Sequence, residues 1–144
     1  MYCTQTDLEN RISAQTLAQL TNDTVGVNTA DAGVVNFLIA KAQSVIDSYL
    51  ADVYVTPLNP VPATINSAAV DLACYYAYER RSQTFAMPQN LTADYSNAIS
   101  YLEKLASQTL TIDSATQVNT PAAQIVSNPP AIVFCDTTNG ARWY

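Results

Sequence analysis

Pro57, Pro60 and Pro62 close the longest helical pattern in the chain and separate it from a second one. Proline lacks the N–H that the helix ladder needs and pushes the preceding residue into extended conformations, so the chain must stop and turn there. Ahead of this break, Val35, Leu38, Ala42, Val45, Ile46, Tyr49 and Val53 recur at helical spacing, and Ile39 and Leu50 widen the stripe. Asn28 or Thr29 is placed to cap that central helix. Behind the break, residues 62–81 hold Ile65, Ala69, Leu72 and Tyr76 on one face, with Arg80 and Arg81 at the negative end of the helix dipole. Two long helices joined by so short a turn predict an antiparallel hairpin.

The remaining segments add to that hairpin. After Met87 and Pro88, the residues Leu91, Tyr95, Ala98, Leu102 and Leu105 repeat the period and predict a third long helix. Thr6 and Glu9 have the Thr-x-x-Glu form of a capping box, which predicts a short first helix starting there. Ser13 is placed to cap a second short helix, whose apolar face is Leu17 and Leu20. The polar stretch 21–29, with Gly26 inside it, reads as a loop, and Thr109-Leu110-Thr111-Ile112 has the composition of a short strand. The predicted fold class is mainly α: a small helical bundle over residues 1–112, built on the long central antiparallel hairpin.

Residues 113–144 form the second predicted unit, an extended C-terminal arm rich in Ser, Thr, Asn, Ala and Pro. It carries two apolar islands, Ile125 and Val126, then Ile132, Val133 and Phe134, and ends on Arg142, Trp143 and Tyr144. Apolar islands are costly to leave in water, so these eight residues are the predicted partner-binding set. Extended at roughly 3.3 Å per residue, about 30 residues span on the order of 100 Å, enough to reach another subunit.

Hydrophobic residues make up 49% of the 144 and charged residues only 12%, too much apolar surface for a disordered chain and too little charge for a generic solvated surface, so something beyond the monomer core is expected to cover the excess. A formal net charge of −6, with six cations that form no stripe, argues against a protein that grips nucleic acid through phosphates. Cys3, Cys74 and Cys135 have neither zinc-site spacing nor the density of a disulfide scaffold, which fits a reducing compartment. The opening residues show no secretory pattern, and Lys41 interrupts the most apolar region, so neither a leader nor a membrane span is expected.

Without histidine the chain lacks the commonest general base and any Ser-His or Cys-His pair, and three glycines cannot make a glycine-rich phosphate loop. No enzymatic activity, cofactor or metal site is expected. The carboxylates Asp47, Asp52, Asp71 and Glu79 do not fall as a close pair on one face and read as ordinary helix charges. Asp47, set among apolar residues, is expected to form a structural ion pair with Arg80 or Arg81 of the neighbouring helix. Tyr75, Tyr76 and Tyr78 crowd one helix, so some are expected at a surface or interface, where tyrosine buries area and keeps its hydroxyl satisfied. Cys74 reads as a small core residue.

Several segments together resemble a family of small proteins found in Mu-like and other tailed phages and related to head-tail connectors. They are Met1-Tyr2 with Thr6-Asp7-Leu8 and Arg11, then Leu17 to Thr21, and more specifically AQSVIDSYLADVY from Ala42 to Tyr54, followed by Pro57-Leu58 and Val61-Pro62. Asp71, Leu72, Ala73 and Tyr75 running into Glu79-Arg80-Arg81 complete the likeness. The resemblance implies a structural virion protein, a neck adaptor forming a homo-oligomeric ring, expected to be dodecameric. It would dock on the portal protein and receive stopper or tail proteins, with the arm clasping the portal. An acidic ring suits a lumen that DNA crosses without being held. Alternatives are a tail-completion or stopper protein of the neck, a host cytoplasmic helical adaptor module, or an enzyme using carboxylates alone.

Overall fold

Residues 1–24, 26–113 and 115–118 are described in a computed structural model of the chain. Helices follow in the order α1 (Gln5–Ile12), α2 (Ala14–Thr21), α3 (Ala32–Leu50), α4 (Ala63–Arg80) and α5 (Gln89–Ala106), with no strand among the described residues. The mainly helical bundle is therefore present, and α3 and α4 form its antiparallel hairpin: Lys41, midway along α3, meets Glu79 at the end of α4, while Asp47, near the end of α3, is linked through Tyr2 to Leu58 just ahead of α4. Tyr101 meets Thr64, and Asp94 shares Arg11 with Asp71, so α5 runs back against α4.

α3 buries Val35, Leu38, Ile39, Ala42, Ile46 and Leu50, most of the expected stripe, while Val45 and Tyr49 are half-buried against the core. Its cap is Asp31 rather than Asn28 or Thr29. The Asp31 carboxylate accepts the N–H groups of Gly33 and Val34 at 2.8 and 3.1 Å, so it fills the capping role directly before the apolar repeat. Asn22 and Thr29 are instead tied across the loop, where Gly26 takes a φ of +86° that glycine alone adopts without strain. α3 ends at Leu50. Val53, the last residue of the expected repeat, lies in a turn whose N–H groups at Val53 and Tyr54 both donate to the Leu50 carbonyl.

α4 occupies the middle of the molecule. It packs against α1, α2, α3 and α5, and it buries Ile65, Ala68, Ala69, Val70, Leu72, Ala73, Cys74, Tyr76 and Ala77. These positions run most of the way round the helix, as expected of a helix enclosed by neighbours rather than one laid on a surface. The single face assigned from Ile65, Ala69, Leu72 and Tyr76 thus understates it, because Ala and Cys let neighbours approach from other sides.

The first helix is capped by Thr4, two residues earlier than the expected Thr6. Thr4 accepts the Asp7 N–H through its hydroxyl oxygen while Asp7 accepts the Thr4 N–H, so the capping box uses Thr4 and Asp7, and Glu9 instead accepts from Gln5. Ser13 caps α2 as expected. Residues 109–112 form no strand. Ile112 is buried and donates its N–H to the Tyr54 hydroxyl, and a single antiparallel bridge joins Tyr54 to Gln117. Beyond α5, Ile112 and residues 116–118 are therefore held on the body.

Candidate functional site

The expected ion pair between Asp47 and Arg80 or Arg81 does not form. In an antiparallel hairpin the end of α3 lies beside the start of α4, so Asp47 sits at the opposite end from the two arginines. Arg80 and Arg81 instead clamp the end of α2: they donate to both oxygens of Asp23 at 2.6 and 2.7 Å and to the carbonyls of Leu20 and Asn22. The two guanidiniums hold the Asp23 carboxyl below the usual carboxylate range.

Asp47 is taken by Tyr2. The buried Tyr2 hydroxyl donates to the Asp47 carboxylate and accepts the Leu58 N–H at 3.0 Å, while the Gln43 amide approaches Asp47 from one turn away. One phenol thereby fastens the start of the chain to α3 and to the proline turn. Burial and the Asp47 carboxylate push the Tyr2 hydroxyl up to about 12. Tyr2→Phe strands a buried N–H and removes the donor to the carboxylate, so it is expected to lower unfolding stability by about 1–3 kcal/mol in denaturant titrations, with helix content unchanged.

Cys3 and Cys74 are both buried, and burial pushes their thiols up to about 11 and about 12. Such thiols stay neutral and are poor nucleophiles and poor metal ligands. Among the described residues no group of three His, Cys, Asp or Glu is placed to hold a metal ion, and no helix is long and apolar enough to cross a membrane. The crowded tyrosines are largely used inside the bundle. Tyr75 stacks on Tyr95 with ring centres 4.1 Å apart, Tyr76 meets both edge-on, and the Lys41 ammonium lies 3.8 Å over the Tyr76 ring.

Among the described residues, two apolar surfaces stand out as open. The outer face of α3 carries Gly33, Phe37, Ala40, Ser44 and Ser48, all exposed, and the Phe37 side chain is 67% exposed. Lys41, one turn beyond Phe37, borders that face and reaches from it to Glu79 and the Tyr76 ring of α4. On the other side, α4 and α5 leave an open groove of about 270 Å³ between Thr64, Ser67 and Ala68 on one helix and Asn97, Ala98 and Tyr101 on the other. One end of this groove is acidic, with Asp71 and Asp94 sharing Arg11. Its other end is closed by the Tyr101 hydroxyl donating to Thr64 at 2.9 Å.

Neither surface was singled out from the sequence. Phe37 had a usable signal, since it lies off the Val35, Leu38 and Ala42 stripe. The groove had none, because it depends on how closely α4 and α5 approach at Ala68 and Ala98. The predicted partner-binding residues Ile125, Val126, Ile132, Val133, Phe134, Arg142, Trp143 and Tyr144 lie outside the described residues. The chain leads toward them from Val118, whose N–H donates to the Val53 carbonyl beside the exposed Val55.

Residues 2–127, a span that takes in all five described helices, match the family described as Bacteriophage Mu, Gp36. The Mu-like prophage FluMu protein gp36 of Haemophilus influenzae is 33% identical over 82 residues, covering 57% of this chain and 55% of that protein. Gene product J of Escherichia phage Mu is 29% identical over 104 residues, covering 72% of this chain and 70% of that protein. The chain thus spans little more than half the length of the first of these relatives.

Proposed function

We propose, from the premise that this chain belongs to the Bacteriophage Mu, Gp36 family and is a phage protein, that it is a structural adaptor of the virion neck. It forms a homo-oligomeric ring on the portal and passes the connection on to stopper or tail proteins. The observation that carries this reading is the pair of dissimilar apolar surfaces left open on opposite sides of the bundle by the described residues. Contacts between unlike patches propagate from copy to copy and close into rings when the rotation allows.

The charges support the same reading. Arg11, Lys41, Arg80 and Arg81 each sit on a carboxylate of their own chain, so a ring with a net charge of −6 per copy has little to offer DNA phosphates. DNA can cross such a lumen without being held. The role is taken to be structural rather than catalytic, and the buried, neutral thiols fit that assignment.

Co-sedimentation of the full-length chain with purified portal tests the proposal. The full chain is expected to travel with the portal, and a chain cut after residue 118 is expected to keep its helix content and lose docking. The cut falls there because Ile112 and residues 116–118 are part of the body. A full-length chain that never travels with the portal would remove the assignment.

A further inference from the structure

We infer that Phe37 of one copy seats in the α4–α5 groove of the next, making the contact between neighbours head-to-tail; this rests on the ring reading above and names its interface.

The two partners match in size. An apolar cavity of about 150 Å³ holds a benzene molecule, and the groove offers about 270 Å³ above a floor of buried Ala68 and Ala98. Phe37 is the large apolar side chain most exposed on any helix of the described residues, at 67%, and its flanking Gly33 and Ala40 leave room for a second helix pair to come close.

They also match in placement. α3, α4 and α5 each pack on the other two, so the three helices form a triangle. The outer face of α3 and the outer seam between α4 and α5 point in opposite directions, and Phe37 cannot reach the groove of its own chain. A patch that fitted itself would give a dimer, whereas a knob on one side and a socket on the other continue from copy to copy.

Charge fixes the register. With Phe37 over Ala68 and Ala98, Lys41 lies one helical turn along α3. Asp71 lies three residues beyond Ala68, and Asp94 lies four residues from Ala98 at the same end. At about 1.5 Å per residue these steps agree to within roughly 2 Å. Asp71 and Asp94 share one guanidinium, so that end of the socket keeps a net negative charge for Lys41. Within the chain Lys41 pairs with the exposed Glu79 at 3.3 Å and lies 3.8 Å over the Tyr76 ring, so turning to the socket exchanges both of these contacts for the acidic pair.

Complementation between two variants of the full-length chain tests the contact. Phe37→Asp disables the knob and Ser67→Trp fills the socket, with Asn97→Trp as a second socket variant on the opposite lip. All three positions are exposed, and circular dichroism checks that each variant folds. The unmodified chain is expected to form species larger than dimers in sedimentation as concentration rises, and each variant alone to associate at least roughly thirtyfold more weakly. An equimolar mixture of a knob variant and a socket variant has one good interface, so it is expected to give a 1:1 pair and nothing larger. An unmodified chain that stays monomeric to about 1 mM overturns the inference, as do a Phe37→Asp chain that assembles normally and folded variants that fail to pair. Assembly that survives Phe37→Asp leaves the ring reading standing, whereas failure to dock on portal removes that reading separately.

Discussion

Replacing Leu72 by alanine is expected to lower the melting temperature by roughly 10 °C. Leu72 is fully buried in α4, the helix that touches α1, α2, α3 and α5, so the lost side chain leaves a void that no single neighbour can move to fill. Leucine-to-alanine changes at such sites cost about 2–5 kcal/mol, and each kcal/mol is worth about 2–4 °C for a chain of this size. Against a total stability of about 5–15 kcal/mol this is a large fraction. Phe37→Ala, at an exposed site, is expected to leave the melt within about 0.5 kcal/mol of the parent. Equal and small shifts for both variants would mean that α4 is not the centre of the core.

Alkaline titration is expected to have a larger effect still. Burial is the first cause of the raised ionisation of Tyr2, Cys3, Cys74 and Tyr76, which sit at about 12, 11, 12 and 12 against ordinary values of 10, 9, 9 and 10. In each case folding favours the neutral form. Their contribution is therefore complete below pH 9 for the thiols and below pH 10 for the phenols, and it is lost as pH climbs through 11 to 12. Each tenfold change in an ionisation constant is worth about 1.4 kcal/mol. Even halved for solvent reaching the phenol edges, the four together remove on the order of 5 kcal/mol. Denaturant midpoints measured under reducing conditions are expected to be flat from pH 7 to 9 and to fall steeply above 10. Cys74→Ala is expected to flatten that limb, and a midpoint unchanged at pH 11.5 would contradict the buried placement of these groups.

The parts of the fold legible in the sequence are those written in local spacing. The apolar repeats of α3 and α5 and the proline stop at 57–62 are one-dimensional signals, and the helices stand where they indicate. Cap positions were less legible because several short polar side chains compete near each helix start, and only the folded geometry shows that Asp31 and Thr4 satisfy the free N–H groups. α4 was undervalued because alanines carry little hydrophobic signal yet admit close neighbours on every side.

Long-range polar contacts were the least legible. Adjacency of the two helices points Asp47 to the arginines, but the antiparallel register places it far from residue 80. Its actual partner, Tyr2, is 45 residues away in a segment with no pattern of its own. The phage family could be read from AQSVIDSYLADVY and the residues around Asp71 and Glu79, and the match over residues 2–127 supports that reading.

Electron microscopy of purified portal mixed with the full-length chain tests the neck assignment most directly. A closed ring of helical density, coaxial with the portal and built of copies related by rotation about its axis, is the expected image. Bare portals beside a dispersed single-chain species, at concentrations well above those found during phage assembly, would contradict it.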